Sequence, residues 1–223
     1  MRIISHMEGT IVIRAMWEEL RPVAGAAMPL VLSTLQSRYN FNNVGVSAIA
    51  QQAGMFTPNL QIGSMTEGDV SFPINSIEFQ PHCLVVVCST TDNANVFIND
   101  MFKFLAESFG FRSPETGRPK RYRSTIVFDP SGVDLDSTMG KWNKVLSFLN
   151  DKSAADISPH QTLGVRFASK DFGIIADGLP TSTPFIVERR VVSPPGENWW
   201  FSQAPVDTPT HLAILEKIEQ TFR

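Results

Sequence analysis

The sequence predicts an α+β fold, a mostly antiparallel sheet with three or four helices packed mainly on one face. Three observations carry this. Cys83-Leu84-Val85-Val86-Val87-Cys88 is an unbroken apolar run of strand length, rich in a β-branched residue that favours extended backbone. Directly after it, apolar residues at 97, 98, 101, 102, 104, 105 and 109 recur at helical spacing. Further short strand-like runs follow, among them Thr125–Phe128 and the alternating Leu163, Val165 and Phe167. A three-layer α/β sheet is the alternative, because two successive strand–helix units could make parallel pairs.

In chain order, Ser5-His6-Met7 reads as a cloning-site remnant. Residues 1–6 are therefore set aside, leaving one α+β domain over 7–223, with 7–75 as its less regular part. Gly9–Arg14 reads as a strand, or Ile13–Leu20 as the start of a helix stopped near Pro22. Val23–Leu35 is rich in helix formers, with a kink expected at Pro29. Asn40–Ile74 is rich in Asn, Gly, Gln, Ser and Thr. A structureless loop of that length is rare in a compact domain, so at least two strands are expected around Val44, Val46, Leu60 and Ile62. Ile77-Glu78-Phe79 alternates, and Pro81 marks a turn, which predicts a hairpin between 76–79 and 83–88.

The 83–88 run is expected to be covered on both faces. Thr91 or Asp92 can cap the helix that follows, 93–109, and Gly110 can stop it. Apolar residues cover more than half of that helix's circumference, which predicts a neighbour or partner on a second side. Arg112–Arg123 reads as a polar connector and Asp129–Gly132 as a turn. A helix over 137–149 carries the stripe Met139, Trp142, Val145, Leu146 and Leu149. Strands are expected at Leu163–Phe167, Phe172–Ala176, Phe185–Val192 and Trp199–Phe201. Thr208-Pro209 opens a final amphipathic helix over 209–222.

Composition narrows the class. With 43% hydrophobic and 18% charged residues this is not a disordered chain. No window holds enough uninterrupted apolar residues to span a membrane, and no signal-peptide core of useful length opens the chain. A net charge of −3 argues against global nucleic-acid affinity while allowing a local basic patch. Cys83 and Cys88 point to opposite faces of one strand and make no disulfide framework. They read as buried thiols of a cytoplasmic protein. No repeat of 20–50 residues is visible.

Four groups of residues are candidates for function. Arg112, Arg118, Lys120, Arg121 and Arg123 stand against Glu115 alone, a basic patch suited to phosphate. Within it, Gly117-Arg118-Pro119 resembles the core of the AT-hook, a resemblance that implies arginine entering an A·T minor groove. Asp129, Asp134 and Asp136 lie between a strand end and a helix start, where carboxylates hold Mg²⁺ or cap a turn. Glu188, Arg189 and Arg190 sit on a strand, with Arg189 turned to the Val187 side and suited to a buried carboxylate. Trp199, Trp200 and Phe201 form either an interface hot spot or a core flap.

No metal-protease, Walker, dinucleotide or nucleophile-elbow motif is present, although a His–Ser or His–Cys dyad could still assemble in space. The reading is a non-catalytic interaction protein that self-associates, with no cofactor and no membrane partner. Nucleic-acid or nucleotide binding through 112–123 is the second reading. A metal-dependent hydrolase built on the Asp129, Asp134 and Asp136 cluster is the third.

Overall fold

Strands with a buried residue at every second position need a continuous sheet to bury them against. The computed structural model describes residues 1–14, 27–46, 58–80, 82–112, 120–130, 135, 164–168, 175–176, 179–180, 184–190 and 197–222. They form β1 (Arg2–Arg14), α1 (Met28–Arg38), β2 (Asn43–Val46), β3 (Pro58–Glu67), β4 (Val70–Phe79), β5 (Cys83–Cys88) and α2 (Thr91–Phe109). Then come β6 (Lys120–Asp129), β7 (Gly164–Phe167), β8 (Ile175–Ala176), β9 (Leu179–Pro180), β10 (Phe185–Arg189), β11 (Trp200–Ala204) and α3 (Thr208–Phe222). Nine strands make one sheet in the order β2-β3-β4-β5-β1-β6-β11-β10-β7, while β8 and β9 pair apart from it.

This corrects the fold class read from the sequence. The molecule is dominated by a large sheet in which every strand pair is antiparallel, so the three-layer alternative with parallel pairs fails. The described helices divide between two cores. α1 and α2 pack into one core with β1, β3, β4 and β5, whereas α3 packs into a second core with β6, β10 and β11. The expected helix over 137–149 lies outside the described residues. The misreading arose because each strand–helix unit pairs with strands distant in sequence. β1 inserts between β5 and β6, which no local pattern announces.

The sheet order has an internal two-fold. Reading outward from the centre, β1-β5-β4-β3 on one side matches β6-β11-β10-β7 on the other. The helix after β5 matches the helix after β11. Gly9 and Ser124 face each other across the central β1–β6 pair, at equivalent positions, so Cys88 corresponds to Ala204. The stretch 7–75, read as less regular, holds β1, α1, β2, β3 and much of β4, and residues 2–6 belong to β1.

Local chemistry explains the elements that position the core. The expected hairpin forms between β4 and β5, with Phe79 opposite Leu84 and Ile77 opposite Val86. Leu84, Val86 and Cys88 are buried, but Val85 and Val87 are only half-buried, so the run is not sealed equally on both faces. α2 is capped by Thr90 rather than Thr91 or Asp92. Its hydroxyl accepts the Asn93 N–H at 3.1 Å. Gly110 stops the helix with φ of 69° in the left-handed region. Replacing Thr90 by alanine is expected to lower stability by about 1 kcal/mol, read as a drop in urea midpoint without a change in slope. Pro29 is not a kink; it sits in the first turn of α1, where a missing N–H costs nothing.

The wide apolar girth of α2 is satisfied inside the chain. Phe97, Ile98, Met101, Phe102 and Leu105 are buried, while Asp92, Asn99, Lys103 and Glu107 form an exposed stripe. On its flank the Arg38 guanidinium lies 4.4 Å from the Phe104 ring centre and bonds Asp100 through 3.0 and 3.2 Å contacts. The Tyr39 hydroxyl donates to the same carboxylate at 2.7 Å. The second neighbour that the girth of α2 demanded is thus the end of α1.

Candidate functional site

Alternation along β6 splits the basic segment between two faces. Tyr122, Ile126 and Phe128 pack into the cores, so Arg121, Arg123, Thr125 and Val127 turn the other way. β1 behaves likewise: Ile11 and Ile13 go into the core and Thr10, Val12 and Arg14 turn away. Thr10 stands opposite Arg123, and Val12 opposite Arg121 and Val85. The outer face of the central strands therefore carries Arg14, Arg121 and Arg123 around a strip of Val12, Val85 and Val87. Arg123 pairs with Glu8 and donates to the Thr10 hydroxyl at 3.2 Å. One N–H nitrogen of each guanidinium, Nη1 of Arg121 and Nε of Arg123, is buried without a hydrogen-bond partner.

The rest of the predicted patch does not join them. Lys120 lies on the opposite face and donates to Asn95 of α2 at 2.9 Å. Arg112 is exposed beyond the end of α2. Arg118, and with it the AT-hook-like Gly117-Arg118-Pro119, lies outside the described residues. The segment expected to be a connector throughout is strand from Lys120 onward.

The interface aromatics are corrected in part. Trp200 is fully buried in the second core, so it is a core residue and not an exposed anchor. Trp199 and Phe201 are half-buried. Arg190 lies 5.8 Å from the Trp199 ring centre, and Arg189 the same distance from that of Trp200. Arg189 therefore stacks on the aromatic face of Trp200. Glu188 and Arg166 point away from it, on the other side of β10 and β7.

Asp129 is half-buried at the end of β6 and meets Arg2 at 3.4 Å. Asp134 and Asp136 lie outside the described residues. Among the described residues no group of three or more His, Cys, Asp or Glu side chains is arranged to hold a metal ion. Cys83 and Cys88 are buried free thiols, raised by burial to about 11 and about 12, so neither is a ready nucleophile at neutral pH.

Tertiary structure also assembles a buried polar cluster that no motif announced. Thr91 and Thr208, the first residues of α2 and α3, cap each other. The Thr91 N–H donates to the Thr208 hydroxyl at 3.0 Å, and the Thr208 N–H donates to the Thr91 hydroxyl at 2.7 Å. Ser124 reaches Thr208 at 3.3 Å. One turn along α3, His211 Nε2 lies 2.8 Å from the Ser202 hydroxyl, and both residues are fully buried.

A serine–histidine pair invites a catalytic reading, but the hydrogen bonds oppose it. Ser202 donates its one hydroxyl proton to the Ile186 carbonyl at 2.8 Å, so Nε2–H of the histidine must be the donor to Ser202. A nucleophile needs the reverse polarity, with histidine accepting, and a third group orienting the base. His211 Nδ1 has no hydrogen-bond partner. The pair is therefore built for structure. The sequence signal that could have found it was weak: Ser202 on a strand and His211 one turn into the next helix.

The chain matches no protein-family model, and a search of curated proteins finds no relative. No described helix is long and apolar enough to cross a membrane.

Proposed function

We propose that this chain is a non-catalytic binding protein whose outer central face takes nucleic acid through its phosphates. The observation that carries the reading is the cluster of Arg14, Arg121 and Arg123 on one face of β1 and β6. Among the described residues Glu8 lies beside it, and Glu78 stands two strands away. Arginine offers forked donors that suit phosphate, and half-buried Val12, Val85 and Val87 beside them give apolar ground for bases and sugars. β-sheets read nucleic acid in this way in other proteins.

The test is a salt titration of binding to a labelled mixed-sequence duplex. Arg121→Ala is the cleaner variant, because Arg123 also neutralises Glu8. It is expected to weaken binding about equally for all sequences and to reduce the salt slope by about 1. Unchanged affinity and slope would remove this reading.

Self-association is the second reading, supported by the two end strands of the sheet. β2 exposes Val44 and β7 exposes Phe167, which is 61% accessible. Light scattering on a size-exclusion column decides it, since a clean monomer at micromolar concentration excludes pairing through either edge.

A further inference from the structure

We propose that His211 and Ser202 form an acid-released latch that holds α3 on the second half of the sheet. The internal two-fold supplies the first argument. Thr91 and Thr208 are equivalent, so His211 occupies the place that Ala94 fills in the first half. Cys88 and Ala204 are equivalent, so Ser202 occupies the place of Val86. Ala94 and Val86 are both fully buried in the first core. The fold thus accepts an apolar pair at this position, and the polar pair in the second half is an addition that the architecture does not require.

The second argument is the geometry around the ring. Neutral His211 is satisfied at Nε2, where it donates to Ser202, and it packs edge-on to Phe185 with ring centres 6.0 Å apart. Protonation adds a hydrogen at Nδ1, which is buried and makes no hydrogen bond; the Ser124 backbone beside the ring favours the charged form but is outweighed by burial. The added charge would sit in the first turn of α3, where the helix dipole opposes cations.

The charged groups around the ring do not rescue it. On β1, His6 carries charge of the same sign once protonated. On β10, Arg189 is a second cation on the same side. Just before α3, Asp207 is engaged by the Thr210 N–H at 2.8 Å, and on α3 Glu219 pairs with the Met1 ammonium. Ser124 of β6 and Ser202 of β11 are neutral. Burial, followed by His6, pushes His211 down to about 4, against a weaker upward pull from the Ser124 backbone. The unfolded or undocked histidine keeps its ordinary value near 6.5. Docking is therefore favoured in full above about 6.5 and weakens as pH falls from there towards 4.

The test is hydrogen exchange on the full chain between pH 7 and 4.5, reading α3 amides relative to α2 amides so that intrinsic pH effects cancel. In the wild type the ratio of α3 to α2 exchange is expected to rise at least about tenfold at the acid end, the effect of one unit of pKa difference. In the double variant Ser202→Val with His211→Ala, which imports the first half's pair, the ratio is expected to stay flat. A flat ratio in the wild type, or an equal rise in both proteins, would overturn the latch. Should the variant not fold, imidazole NMR of the wild type decides alone. Resonances that stay neutral until α3 loses protection support it, and titration near 6.5 with α3 still docked refutes it.

Discussion

Gly9→Ala is expected to leave little folded protein. A Cβ on Gly9 would lie 2.1 Å from the Thr90 carbonyl carbon and 2.2 Å from the Thr91 nitrogen. Both are backbone atoms, so no side-chain rotation relieves the overlap. Moving that backbone would break the Thr90 cap of α2 and the mutual capping of Thr91 and Thr208 together. Overpacking of this kind costs about 3 kcal/mol or more, a large part of the stability of an ordinary domain. Gly45→Ala makes the control, because nothing lies within 4 Å of its would-be Cβ. Urea unfolding of both variants is the measurement, and a Gly9→Ala protein within about 1 kcal/mol of wild type would contradict the central packing described.

The two-fold explains why glycine is needed on one side only. Ser124 stands where Gly9 stands, and its side chain fits because the loop from β11 to α3 has three residues. The loop from β5 to α2 has two, and brings the helix start down onto the strand.

Phe97→Ala is the second large effect. Phe97 is fully buried on the sheet side of α2. Its ring meets Tyr39 edge-on at 4.9 Å and Phe41 at 6.4 Å, so it joins the helix to the end of α1. Removing it leaves a cavity walled by rings that cannot collapse freely, at a cost of about 3–5 kcal/mol. Phe104, half-exposed under the Arg38 guanidinium, is expected to cost clearly less. Chemical denaturation of the two alanine variants checks the order. Equal losses would mean that Phe97 is not the keystone of the first core.

Several elements were legible in the residues themselves. The valine run of β5, the helix after it with its Gly110 stop, the β4–β5 hairpin and the last helix all follow from periodicity and capping chemistry. β3 and β4 fulfil the expectation of strands within the polar stretch before residue 75. Others were read wrongly for identifiable reasons. Pro29 looks the same in sequence whether it starts a helix or bends one. Lys120, Arg121 and Arg123 look like a loop by charge, yet β6 continues through them because one face of its central neighbour, β1, stays polar. Trp200 looks like an anchor until its face of β11 is known to be the buried one.

Sequence alone determined where several of the described extended and helical segments lie, β5, α2 and α3 among them, because those follow from side-chain shape and period. Tertiary structure alone decided that β1 joins the two halves, that Thr91 caps Thr208, and that His211 meets Ser202 in the dark of the second core. Backbone N–H and C=O groups are alike at every residue, so a strand carries no local label for a partner dozens of residues away. That choice is made only when all the apolar faces are buried at once.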